Sequence, residues 1–207
     1  MKRRKTKVTP EEFYGSAYAD MLKAEAMLVK LISEYSATKR KKEGVKPIVY
    51  SCSRIKSPES MIRKLEERGF EQTREAALEK VYDSIGVRAV CAFADDVYRL
   101  VRWLKEQNDI SIVEEKDYYA YPKPNGYRSY HMLLRIVDGE AAGLHAEIQI
   151  RTIANDFWAT LEHQLKYKKN IPNEKLIRNE LKRCADEIAS VDLSMQTIRD
   201  IIRESIN

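Results

Sequence analysis

His145-Ala-Glu-Ile-Gln-Ile-Arg151 is the stretch on which the fold turns. Side chains of an extended strand alternate between its two faces, so Ala146, Ile148 and Ile150 share one side while His145, Glu147, Gln149 and Arg151 share the other. A greasy side backed by four aligned polar groups suggests a strand that lines a polar cleft, though an ordinary half-solvated strand has the same alternation. The whole run from Ser111 to Arg151 reads as strands, separated by Pro122-Lys123-Pro124-Asn125-Gly126 and by Asp138-Gly139. Upstream, the pattern predicts an extended segment at Ile48 to Arg54 and a helix opened by Ser57-Pro58-Glu59 that runs toward Gly69. A helix over Arg74 to Tyr82, a strand over Val87 to Phe93 and a helix over Asp95 to Lys105 follow. Phe13, Ala17, Met21, Ala24, Leu28 and Leu31, at three- and four-residue steps, predict a helix from Pro10 to about Ser36, ending in a basic connector, Lys39 to Lys46. At the other end, Ile177, Leu181, Cys184, Ile188, Val191, Met195, Ile198 and Ile202 form one helical seam. That seam needs a cover, either the Pro10 to Ser36 helix or another subunit. The pattern is thus a succession of helices and strands, with helical segments at both ends.

The bulk composition narrows the function. With 207 residues, 43% of them hydrophobic, the chain makes one well-buried domain with helical additions. Its formal charge of +5 is accounted for by Lys2, Arg3, Arg4, Lys5 and Lys7. The body is therefore near neutral, which gives no general case for a nucleic-acid-binding domain, and residues 1–9 read as a flexible basic tail. Cys52, Cys91 and Cys184 are odd in number and never form CxxC, as expected of reduced thiols in a cytoplasmic protein. His131, His145 and His163 make no zinc-binding pair. Neither a secretory signal nor a stretch of membrane-spanning length is visible.

Seven scattered glycines form neither a GxGxxG fingerprint nor a P-loop, so any bound phosphates must be held by side chains. Arg54, Lys56, Arg63 and Lys64, with the Ser60 hydroxyl, are the candidates; several cations close together neutralise a polyphosphate, though a solvated basic face has the same composition. Asp83 and Glu147, on neighbouring strands, could hold Mg²⁺, which takes oxygen ligands and shares itself with substrate phosphates. Lys123, Asn125, Tyr127 and His131 gather a cation, an amide, a ring and an imidazole around one turn, where a base could stack and be read. The plainer alternative is a hairpin with Asn-Gly at its turn.

Six phrases then carry a resemblance. Arg54-Ile-Lys56-Ser-Pro-Glu-Ser60, Asp83-Ser-Ile-Gly-Val-Arg88, Asp117-Tyr, Lys123-Pro-Asn-Gly-Tyr-Arg-Ser-Tyr-His131, Glu147-Ile-Gln-Ile-Arg-Thr152 and Asp156-Phe-Trp-Ala-Thr-Leu-Glu-His163 resemble, in order and spacing, the synthetase domain of RelA/SpoT-type enzymes. The length is similar to that of the small alarmone synthetases, the RelQ branch above all, and no His-Asp pair of the associated hydrolase occurs. The resemblance implies an α+β fold, a nucleotidyltransferase-like mixed sheet flanked by helices, with long N- and C-terminal helices, and a catalytic domain at 45–168. It leaves a helical segment at 10–44 and a C-terminal helical segment at 169–207 that could oligomerise.

The resemblance also implies a reaction, transfer of pyrophosphate from ATP to the ribose 3′-hydroxyl of GTP or GDP with release of AMP, and a division of labour. Arg54 and Arg88 would sandwich adenine; Lys56, Ser60 and Lys64 would grip the donor phosphates. Asp83 and Glu147 would bind Mg²⁺, with Glu147 helping to deprotonate the acceptor. Tyr127 would stack on guanine, Asn125 would read its edge, and Lys123 and His131 would steady acceptor phosphates or ribose. Glu66 and Glu67 stand where relatives carry more basic residues. RelQ-like proteins resemble one another in forming homotetramers with an activator cleft, for which Tyr50 is the candidate aromatic. Rival expectations are another acceptor, such as the tRNA 3′ end or an adenine nucleotide, and a non-catalytic RNA-binding module. Weak RNA binding by an active enzyme is a further expectation.

Overall fold

The computed structural model describes residues 8–166 and 173–206. The basic tail through Lys7 and the expected domain boundary near residue 168 lie outside the described residues. Five strands form one mixed sheet in the order β1-β2-β5-β4-β3: β1 (Ile48–Ile55), β2 (Ile85–Cys91), β3 (Ile110–Asp117), β4 (Tyr130–Ile136) and β5 (His145–Thr152). β2 and β5 are parallel and every other pair is antiparallel.

The register explains the alternation read from β5. Ile85, Val87 and Ala89 lie beside Ala146, Ile148 and Ile150, which lie beside Leu134, Met132 and Tyr130. All nine are buried. The core face is covered by α2 (Ala17–Glu43), which buries Met21, Ala24, Leu28, Leu31, Ile32 and Tyr35, and by α5 (Ala94–Lys105), which buries Val97, Leu100, Val101 and Leu104. Each large aliphatic side chain so buried contributes about 1.5–3 kcal/mol, which is why these helices form where they do. On the opposite face, Arg54, Gly86 and Glu147 make one cross-strand row, and Cys52, Arg88, Gln149 and His131 make the next.

Several boundaries differ from those read in the sequence, for identifiable reasons. The N-terminal helix is two: α1 (Pro10–Tyr14), opened by a Thr9–Glu12 capping box, ends at Gly15, whose φ of 59° interrupts the helix before α2 begins. The basic connector is in fact the last turns of α2: Lys39 pairs with Glu43 four residues on, cations suit a helix C-terminus, and Gly44 supplies the left-handed cap. α3 (Pro58–Glu67) is capped by Ser57 as expected, α4 (Arg74–Glu79) stops short of Tyr82, and β2 starts two residues before Val87. Asn125-Gly126 does not make a tight hairpin turn; it lies in a twelve-residue loop, 118–129, between β3 and β4.

α6 (Ile153–Lys166) follows β5 directly and α7 (Glu174–Ile206) runs back along it. The seam of α7 is covered by neither expected partner over its first half. Leu181, Cys184, Ala185 and Ile188 pack with Trp158, Ala159 and Tyr127, and the Trp158 indole donates to the Leu181 carbonyl at 2.9 Å. Farther along, Arg199 grips Asp95 at the start of α5 through two bonds of 2.7 and 3.0 Å. Val191, Met195, Ile198 and Ile202 of the second half are exposed.

Candidate active site

The polar face of the sheet carries a cavity of about 160 Å³ lined by Arg54, Asp83, Gly86, Arg88, Glu147 and Gln149, with Cys52, Ser53 and Val87. Gly86 sits between Arg54 and Glu147 in their row, and its missing side chain leaves the floor open. Four sequence-predicted site residues, Arg54, Asp83, Arg88 and Glu147, line this hollow.

Asp83, in the turn before β2, is the cationic side's anchor. Lys56 Nζ donates to its Oδ2 at 2.7 Å, and Lys64 Nζ, from α3, donates to the same oxygen. Burial would push the Asp83 carboxyl up, but the bonds and charges of the two lysines outweigh it and hold the group below the usual carboxylate range. Burial pulls the Lys56 ammonium below its ordinary value, with Asp83 opposing. Asp83 Oδ1 is buried and has no hydrogen-bond partner among the described residues. Ser60, expected to face phosphates, accepts at its hydroxyl from Ser57 Oγ at 3.0 Å in the cap of α3. Arg63 is exposed and loosely paired with Glu67.

Glu147 projects from β5. His131 Nδ1 lies 3.0 Å from its Oε1, and Gln149 Nε2 donates to its Oε2 at 2.6 Å. Burial pushes this carboxyl up as well; the His131 and Gln149 contacts outweigh it and leave the group below its ordinary value, while the Asp83 charge opposes them. The two carboxylates therefore feel one another across the cavity. Among the described residues no cluster of three or more His, Cys, Asp or Glu gathers into a metal cage. Two carboxylates, one with an unpartnered buried oxygen, instead suit Mg²⁺, which completes its shell with water and substrate phosphates.

Beside Glu147 lies the 118–129 loop. Tyr127, Tyr118 and His131 meet edge to face, with ring centroids 5.2 to 5.8 Å apart, and the Lys123 ammonium stands 4.7 Å over the Tyr118 ring and 5.1 Å over Tyr127. The Tyr127 hydroxyl lies 2.8 Å from His131 Nε2, on the far side of the ring from the Nδ1 that meets Glu147. Asn125 is engaged at both ends of its amide: Nδ2 donates to Glu162 Oε1 at 2.9 Å, and Oδ1 accepts from the Tyr127 N–H at 3.3 Å. Its present work is thus to shape the loop.

Sequence reasoning assigned no part to a network that joins these groups. Arg151 bonds to Asp156 and to the Tyr127 hydroxyl, and Asp156 also faces Arg88 at 3.2 Å and accepts from Tyr50. A signal was present: strict alternation put Arg151 on the polar face, and Asp156 follows within one helical turn of β5's end. Arg151 is buried rather than half solvated because α6 folds over this end of the face.

A family model described as a region found in RelA/SpoT proteins matches residues 53–172. The GTP pyrophosphokinase YwaC of Bacillus subtilis is 43% identical over 159 residues, 75% of this chain and 76% of that one. The GTP pyrophosphokinase YjbM of the same organism is 36% identical over 165 residues, 77% and 75% of the two chains. Among solved structures, a GTP pyrophosphokinase family protein from Streptococcus pneumoniae superposes with a TM-score of 0.80 at 34% identity, over 93% of this chain and 95% of that one. Small alarmone synthetase 1 from Bacillus subtilis, bound to its product pppGpp, gives 0.78 at 29% identity, over 88% and 94%.

Proposed function

This chain belongs to the RelA/SpoT family, and on that footing we propose that it moves pyrophosphate from ATP to the ribose 3′-hydroxyl of GTP or GDP, making (p)ppGpp and releasing AMP. The observation that carries the site assignment is the convergence of Asp83 and Glu147 on one cavity, with arginines on one flank and the Tyr127–His131 cluster on the other.

Arg54 and Arg88 hold adenine between flat guanidinium groups, a task lysine cannot perform. Lys56 and Lys64 turn from Asp83 toward the donor phosphates, and Ser60 lies at the N-terminus of α3 beside them. Asp83 and Glu147 would hold Mg²⁺, and the chemistry it would supply there is neutralisation of negative charge on the transferring phosphates. Tyr127 offers guanine a ring, Asn125 its amide, and Lys123 and His131 donors to ribose or acceptor phosphates. The acceptor 3′-oxygen forms a bond to the β-phosphorus as the bond from that phosphorus to the α,β-bridging oxygen breaks; AMP departs and the hydroxyl proton passes to Glu147. Position and charge supply most of the acceleration, since phosphoryl transfer asks little covalent work of a protein.

The chain is also a homo-oligomer, a tetramer by family resemblance. Support comes from two exposed apolar stripes, Ile153, Phe157, Leu161 and Leu165 on α6 and Val191, Met195, Ile198 and Ile202 on α7. Exposed Arg40, Lys41, Lys42 and Lys46 give RNA backbones a weak binding surface. Three unpaired cysteines fit a cytoplasmic location, and no described helix is long and apolar enough to cross a membrane.

The test is to incubate the purified protein with labelled ATP and Mg²⁺, offering GTP, GDP, GMP, ATP or tRNA in turn. Label appearing on GTP or GDP with release of AMP is the expected result. Transfer only to an adenine nucleotide or to tRNA, or RNA binding without transfer, would overturn the reading.

A further inference from the structure

We infer that the buried Arg151–Asp156 pair is a positioning device that ties the donor's base platform to the acceptor's, so that breaking it weakens both nucleotides together. The inference rests on the function proposed above. Arg151 and Asp156 are 5% and 4% exposed. Two charges so deeply buried are costly to desolvate, and they are tolerated only when well paired. Here the pairing reaches beyond the pair. Asp156 Oδ1 accepts from Arg151 Nη1 at 3.0 Å and faces Arg88 Nη1 at 3.2 Å, while Oδ2 accepts from the Tyr50 hydroxyl at 2.5 Å. Arg151 Nη2 donates to the Tyr127 hydroxyl at 2.7 Å and to Gln149 Oε1 at 3.0 Å. Its guanidinium also stands 5.2 Å from the centre of the Tyr127 ring.

Neither residue of the pair lines the cavity, so neither has a direct duty toward the donor. What they do is join Arg88, fixed on β2, to Tyr127, which belongs to a loop outside the strand ladders. Transfer between two nucleotides demands that their platforms keep one spacing, because small misplacements of reacting atoms are expensive in rate. A two-residue brace of rigid guanidinium and carboxylate geometry supplies that spacing.

The experiment varies ATP at saturating GTP and GTP at saturating ATP for wild type, Asp156→Asn and Arg151→Lys, with the melting midpoint of each. The same proteins are titrated calorimetrically with a non-hydrolysable ATP analogue and with GDP. Asp156→Asn removes the charge shared by both arms, so both KM values rise, each about tenfold, the scale of one lost charge-assisted hydrogen bond. Arg151→Lys keeps a cation for Asp156 but has one nitrogen and cannot also hold Tyr127. Its acceptor KM rises about tenfold while its ATP KM stays within about twofold. A merely structural role would lower the melting midpoint and the active fraction and leave both KM values at the wild-type level, which would overturn the inference. So would an Asp156→Asn effect confined to one substrate. Should Asp156→Asn fail to fold, Arg151→Lys decides alone, and an unmoved acceptor KM refutes the tie. A wild type that makes no 3′-pyrophosphorylated guanosine nucleotide would sink the proposed function itself; the calorimetric affinities would still read the tie.

Discussion

Gly126→Ala measures how firmly α7 presses on the 118–129 loop. Gly126 has a φ of 87°, and a methyl built there would lie 2.4 Å from the Ala185 Cβ and 3.4 Å from the Lys182 Cα. The left-handed backbone alone costs a non-glycine residue about 1–3 kcal/mol. Two carbons rest about 3.5–4 Å apart, so the loop or α7 must also give by more than about 1 Å. Overpacking of that kind costs about 1–3 kcal/mol more. Gly139→Ala is the control, because Gly139 has a similar φ of 80° and no atom within 4 Å of the added methyl. The gap between the two variants isolates the α7 contact, and in a chain of this size it amounts to about 2–12 °C in melting midpoint. Differential scanning calorimetry reads it, and kinetics read its consequence. Asn125 and Tyr127 flank the altered residue, so the acceptor KM of Gly126→Ala rises while the ATP KM does not. Equal melting of the two variants with a wild-type acceptor KM would refute the idea that α7 braces this loop.

A pH dependence follows from Asp96, buried at the start of α5. Burial, with the Asp95 charge, holds its carboxyl above the ordinary value of 3.8. A carboxyl raised in the folded state contributes its stability below the unfolded pKa and loses it as pH rises through the folded one. Asp96→Asn therefore melts higher than wild type at pH 7, and the two converge below about pH 3.8; a lower midpoint at pH 7 would contradict this. Cys52 is exposed and lines the cavity, whereas Cys91 is buried and its thiol is pushed far up by that burial. Alkylation followed by peptide mass spectrometry should find Cys52 modified, Cys91 spared, and the Cys52 reaction slowed by ATP; equal labelling with and without ATP would remove the donor from this cavity.

The sheet was legible because strand alternation is a local property. Ala146, Ile148 and Ile150 could be assigned to the core, and Glu147 and Gln149 to the cleft, from residue type and parity alone. The break at Gly15 was less visible, since the apolar spacing of Phe13, Ala17 and Met21 runs straight through it; only the backbone angle interrupts the helix. The basic run after Lys39 looked like a connector because its charges hid a favourable helix end. The placement of α7 could not be read at all. A heptad-like seam says that a helix needs a cover, and the cover here is α6 and the 118–129 loop, a tertiary choice made by Trp158, Gly126 and Ala185. Arg151 and Asp156 stood on the page as one strand residue and one helix residue. Their joint burial arises only when α6 folds over the sheet.

In the proposed function Glu147, held by His131 and Gln149, works on the acceptor hydroxyl opposite Asp83. Glu147→Gln keeps the shape of the side chain and removes its charge. Measured with labelled ATP, Mg²⁺ and GTP, the variant should lose at least about 10²-fold in turnover, the scale of a missing general base, with its melting midpoint and oligomeric state retained. Near-normal turnover in a folded Glu147→Gln protein would contradict the account.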